Sequence, residues 1–97
     1  MTHHRALASV FNALGDPTRV RLVEHLGASR HCVCDLVTAL GIGQSLVSFH
    51  LKVLKDAGLI VAERRGRWVY YSLAPDSVFP VEHLLAVAAT AQPAGRD

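Results

Sequence analysis

The chain has 97 residues, 51% of them apolar, with ten basic and eight acidic residues for a net charge of +2. That length supports one domain, expected over 1–97, near the low end for a self-sufficient core, and that apolar share excludes a disordered chain. The apolar stretches fall far short of a bilayer span, and Met1-Thr2-His3-His4 carries no apolar signal core, so the expectation is a cytoplasmic protein with no membrane partner.

Leu7, Val10, Phe11 and Leu14 recur at helical spacing and predict a first helix over 4–14, stopped at Gly15. Asp16 is a good N-cap with Pro17 at the first helical position. Val20, Leu22, Val23 and Leu26 then give a second helix its apolar face before Gly27. Residues 32–40 fit a short third helix closed by Gly41, and residues 44–57 a fourth ended at Gly58. Residues 59–65 and 68–73 are rich in β-branched and aromatic side chains, and Gly66 between them supplies the tight turn of a hairpin. Pro75 and Asp76 break the chain. Pro80 starts a last helix with Leu84, Leu85, Val87, Ala88 and Ala91 on its apolar face, and 93–97 read as a disordered tail. The expected fold is mainly α with one β-hairpin before the last helix. The link Gly41-Ile42-Gly43 is short enough for a helix-turn-helix. A fold this small calls for a second copy to cover its apolar surface.

On a helical wheel of the fourth helix, Gln44, Ser45, Ser48, Lys52 and Lys55 share one arc, opposite Val47, Leu51, Leu54 and Ala57. Small polar residues at the N-terminal end suit base edges, and lysines further along suit phosphates. Gln44 can pair with adenine. A solvated surface face gives the same pattern. His50 falls on the apolar side and reads as a hydrogen-bonded core residue. Phe49 lies at the edge of the polar arc, either against a thymine methyl or packed on a neighbouring helix, with packing favoured. Arg64, Arg65 and Arg67 surround the turn, where guanidinium groups can neutralise phosphates or enter a narrow minor groove. Trp68, Tyr70 and Tyr71 are at strand spacing and read as packing residues. Residues 44–73 set five cations against Asp56 and Glu63, a local net of +3. No nucleophile–base pair, phosphate loop or carboxylate pair stands out, which argues against an enzyme.

Cys32 and Cys34, the two cysteines of the chain, are a ligand or redox pair in a reducing compartment, or two small buried hydrophobes. Two positions apart on a helix means about 200° of rotation, so both sulfurs on one ion would unwind or bend the start of the third helix. A helix N-terminus would also lower a thiol's pKa.

The chain resembles the ArsR/SmtB family of metal- and metalloid-responsive winged-helix repressors. The resemblance covers residues 6–90 and rests on Ala13-Leu14-Gly15-Asp16-Pro17-Thr18-Arg19, Cys32-Val33-Cys34-Asp35-Leu36, Gln44 with Val47-Ser48-Phe49-His50-Leu51, Leu54-Lys55-Asp56-Ala57-Gly58-Leu59, and Gly66-Arg67-Trp68-Val69-Tyr70-Tyr71. It implies a winged helix-turn-helix homodimer, held by its first and last helices, that binds palindromic double-stranded operator DNA and releases it on binding an inducer. The cysteine pair looks like the arsenic-type sensor motif. Thiolates favour As(III), Sb(III), Cd(II) and Zn(II), with the trivalent metalloids preferred here and a thiol redox switch as a further alternative. Val37 stands where a third cysteine occurs in the fullest arsenic motif. The third ligand is left among solvent hydroxide, His31, and His3 or His4 reaching from the N-terminus of the same or the other subunit. Glu82 and His83 do not reproduce the zinc set that relatives carry on the last helix.

Overall fold

A computed structural model describes residues 2–75, with side chains from His4 onward, together with Ala86 and Thr90. The chain runs α1 (Thr2–Ala13), α2 (Pro17–Ala28), β1 (His31–Cys32), α3 (Val33–Leu40), α4 (Gln44–Asp56), β2 (Ile60–Arg65) and β3 (Trp68–Leu73). The expected last helix lies outside the described residues, apart from Ala86 and Thr90, which are both helical.

Local chemistry sets most of these boundaries. Asp16 caps α2 by accepting from the backbone N–H of Thr18 and Arg19 at 3.0 and 3.2 Å, ahead of Pro17. The second helix runs past Gly27 to Ala28, one turn-end further than its apolar pattern. Gly41 ends α3 in the left-handed region, φ +69°, with its N–H on Val37 O at 2.9 Å. After two further residues α4 begins, with its axis turned 112° from that of α3, inside the helix-turn-helix range. Gly66, at φ +63°, is the first residue of a two-residue turn that pairs Arg65 with Trp68.

Leu22, Val23 and Leu26 of α2, Leu36 and Leu40 of α3, and Val47, Leu51 and Leu54 of α4 meet Val10, Ala13, Leu59 and Ile60 in one core. The first helix departs from its expected face only at Phe11, since Leu14 packs on the core and Leu7 is half-buried. Val10 and Ala13 are buried, whereas Phe11 is 53% exposed. In the described residues α1 buries a narrow stripe, and Phe11 lies one position off it.

His50 is 7% exposed and is the buried polar side chain of this core. Arg19 reaches it with Nη1 at 3.2 Å from Nδ1, while its Nε donates to Ala13 O at 2.6 Å and Nη2 to Asn12 O at 3.4 Å. A guanidinium has no acceptor, so Nδ1 accepts and the ring proton sits on Nε2. One arginine thus ties the end of α1 and the start of α2 to the middle of α4.

The sheet holds a third strand that the sequence pattern did not predict. His31 and Cys32 pair antiparallel with Tyr71 and Tyr70 of β3, giving the order β1-β3-β2. A two-residue strand has no periodicity to read, and its pairing is made by the tertiary approach of β3.

Candidate thiolate site and DNA-reading face

Cys32 does not lie within the third helix as expected. It is the N-cap of α3, with extended backbone (φ −83°, ψ 169°), and Cys34 is the second helical residue. The change of backbone at Cys32 removes the 200° opposition of two helical positions. The sulfurs of Cys32 and Cys34 and a carboxylate oxygen of Asp35 lie within 4.8 Å of one another. The premise of two opposed helical positions is therefore corrected: Cys32 precedes the helix, and the helix start brings the two sulfurs to the same side. Asp35 completes a capping box, in which its Oδ2 accepts from Cys32 N–H at 3.3 Å and the Cys32 sulfur faces the Asp35 N–H.

Cys32 is buried and Cys34 exposed, so one sulfur is anchored and the other meets solvent. The Cys34 thiol is held above its ordinary value, first by its hydrogen bond with Cys32 and further by the charges of Cys32 and Asp35. This reverses the expected lowering at a helix N-terminus, because the hydrogen bond with Cys32, desolvation and the two acidic neighbours outweigh the backbone. His31, adjacent in sequence, is not part of this group. Its Nδ1 lies 2.8 Å from Ser29 O, since consecutive strand residues point to opposite faces. His4 does not join it either, and the side chain of His3 lies outside the described residues.

An open cavity of about 480 Å³ adjoins the sulfurs, lined by Cys32, Cys34, Val37, Gln44, Trp68 and Val69 among others. The cysteine pair therefore shares a wall with the first residue of α4 and the first residue of β3. It is also joined to the hairpin through the β1–β3 pairing at Cys32 and Tyr70. Trp68 is 53% exposed, so it edges this cavity and is not the packing residue expected from strand spacing. Tyr70 and Tyr71 are half-buried.

Gln44, Ser45, Ser48, Lys52 and Lys55 are all exposed on α4. Lys52 pairs with Asp56 at 3.0 Å across one helical turn, an exposed bridge that contributes little to stability and yields readily to a phosphate. Phe49 is 56% exposed, which corrects the favoured reading that it packs on a neighbouring helix. Arg64, Arg65 and Arg67 are exposed at the hairpin end. Arg65 Nε donates to Glu63 Oε2 at 3.0 Å, and Arg30 stands 3.9 Å from Glu63 Oε1 with its guanidinium 5.1 Å over the Tyr70 ring. Arg30 extends the basic hairpin toward its root. No sequence pattern marks Arg30, and the sequence shows Asp35 only as a neighbour of the cysteines in the chain, since its place beside both sulfurs is set by the fold.

A helix-turn-helix with a three-stranded wing defines a class of DNA-binding regulators, and this one carries a cysteine pair at the start of its third helix. The description "Bacterial regulatory protein, arsR family" matches residues 16–61. A transcriptional repressor SmtB homolog of Synechocystis is 44% identical over 72 residues, covering 74% of this chain and 54% of that protein. An arsenic resistance transcriptional regulator of Pseudomonas putida is 41% identical over 81 residues, covering 80% of this chain and 69% of that protein. Among solved structures, the homodimeric winged helix-turn-helix domain of a possible ArsR-family regulator from Mycobacterium bovis superposes with a TM-score of 0.78 at 30% identity, covering 88% of this chain and 79% of that one. The chain belongs to the ArsR/SmtB family of winged helix-turn-helix regulators. It spans about half the length of the first curated relatives it matches.

Proposed function

We propose that this protein is a cytoplasmic transcriptional repressor that binds operator DNA as a homodimer and releases it when a thiophilic ion, As(III) or Sb(III), binds Cys32 and Cys34. The observation that carries this reading is the gathering of two sulfurs within 4.8 Å at a helix start that also pairs with the wing. Two thiolates suit a soft ion, and the ion's chemistry is to hold both sulfurs at one centre.

The chain's own residues then account for release. Cys32 is the buried anchor, and Cys34 is the exposed partner that moves. Drawing them together shifts the first turn of α3, which packs on α4. The same pull passes along the Cys32–Tyr70 pairing to β3 and the arginines at its turn. Both reading parts, Gln44 to Lys55 on α4 and Arg64 to Arg67 on the wing, are thereby displaced from the spacing that two half-sites require. In the DNA complex Gln44, Ser45 and Ser48 meet base edges, and Lys52, Lys55, Arg64, Arg65 and Arg67 meet phosphates or the minor groove.

A second reading replaces the metalloid by Cd(II) or Zn(II). It is favoured by the Asp35 carboxylate beside the two sulfurs, an oxygen donor that these ions accept.

The test is fluorescence anisotropy of reduced protein on a duplex from its own promoter, titrated with As(III), Sb(III), Cd(II) and Zn(II) in parallel. Release by the trivalent ions, lost in Cys32→Ser, supports the first reading. Release by Cd(II) or Zn(II) alone supports the second. Tight binding that none of the four ions disturbs overturns both and leaves the cysteines to redox or structural roles.

A further inference from the structure

We infer that Phe49 reads a thymine in each half-site, through the C5 methyl group in the major groove. The inference rests on the DNA-binding reading above and adds a base-specific contact to it. Ser45, Phe49, Lys52 and Asp56 follow one another at four-, three- and four-residue steps, so they form one stripe along α4. All four are exposed, and the buried set Val47, His50, Leu51 and Leu54 lies on the other side. Phe49 is the apolar member of this stripe, and Leu46, 47% exposed, is the other large apolar side chain that α4 leaves open.

An aromatic ring left 56% exposed on a polar, cationic face needs an occupant of matching chemistry. The major groove presents hydrogen-bond donors and acceptors at every base pair and a single kind of apolar group, the thymine methyl. The flanking Ser45, Lys52 and Lys55 and the wing arginines match a polyanion and mismatch a second copy of this cationic face. The ring is also braced. It meets the His50 ring edge-on, with centroids 5.2 Å apart and planes at 65°, and His50 is itself held by Arg19. A braced aromatic loses little side-chain freedom on contact.

Deoxyuridine provides the test, because it removes the methyl and leaves every hydrogen-bonding group in place. Duplexes selected by the wild-type protein from a random library are resynthesised with each thymine replaced in turn. At one thymine per half-site the wild type is expected to lose about fourfold in affinity, the worth of one buried methyl group. Phe49→Ala is expected to bind the thymine and deoxyuridine duplexes alike, and Phe49→Leu to keep part of the difference. Wild-type binding indifferent to every replacement overturns the inference, as does an undiminished methyl preference in Phe49→Ala. So does a changed oligomeric state of the free, folded Phe49→Ala protein by sedimentation equilibrium, which would make Phe49 a subunit contact. Failure of the wild type to select any duplex overturns the DNA-binding reading itself, a result distinct from binding without methyl preference.

Discussion

Cys32 and Cys34 sit in unlike environments. The buried sulfur at the N-cap is fixed by the β1 pairing and the Asp35 capping box, and the exposed sulfur on the first turn is free to approach it. Cys34→Ser is therefore expected to leave duplex affinity within about twofold, the scale of a surface substitution, and to abolish release by As(III) in the anisotropy titration. Trp68, the single tryptophan, borders the same cavity. Its fluorescence should change on adding As(III) to free protein and stay constant in Cys34→Ser; an unchanged signal in the wild type would dissociate the cavity from the sulfurs. On the reading face, Gln44→Ala should lower discrimination among bases by about 1–3 kcal/mol while sparing affinity for random DNA. Arg67→Ala should weaken binding to all sequences and reduce the salt slope by about one unit per subunit. Equal effects of the two substitutions on selected and random duplexes would refute the division between base and phosphate contacts.

Single side chains also decide how the elements are joined. Arg19 links carbonyls at the end of α1 to the ring of His50 in α4, three partners from one guanidinium. Its replacement strands a buried imidazole acceptor, so Arg19→Ala should cost about 1–3 kcal/mol by urea denaturation. A cost near zero would mean that water substitutes for the guanidinium at Nδ1. The α2 cap is an independent joint. Asp16→Ala removes the acceptor for two N–H groups and should cost about 1 kcal/mol. Neither change touches the sulfurs, so release by inducer should persist in whatever protein remains folded and bound to DNA. At this scale α3 is the pivotal element: it packs on α4 at one side, and its N-cap residue belongs to the sheet at the other.

For the whole molecule, the described core is a dozen small and medium aliphatic side chains, with no aromatic among them. Leu36→Ala or Leu54→Ala, each fully buried, should cost about 2–5 kcal/mol, a large share of the roughly 5–15 kcal/mol available to a domain. Thermal scans of either variant should show a midpoint far below the wild type, or no folded baseline. A homodimer makes the wild-type melting midpoint rise with protein concentration, and a midpoint constant over a hundredfold range would count against the proposed assembly.

Much of this organisation is legible in the residue order because it depends on neighbours in the chain. Asp16-Pro17 starts a helix, Gly41 and Gly66 occupy backbone positions that a side chain strains, and Val47, Leu51 and Leu54 repeat at helical spacing. The cysteine pair and the cationic residues of α4 and the wing are likewise visible as types and spacings. What the order could not determine is which way those groups face. Two residues of β1 pair only because β3 returns beside them, and that pairing puts Cys32 in extended backbone instead of on a helix. From this one change follow the convergence of the two sulfurs with Asp35, the raised Cys34 thiol and the link from the thiolate site to the wing. Phe11 and Phe49 likewise carry a hydrophobic character readable from the sequence, but their exposure depends on which stripe of each helix the surrounding core covers. Periodicity reports a face to within a residue or two; the packing partner selects the stripe.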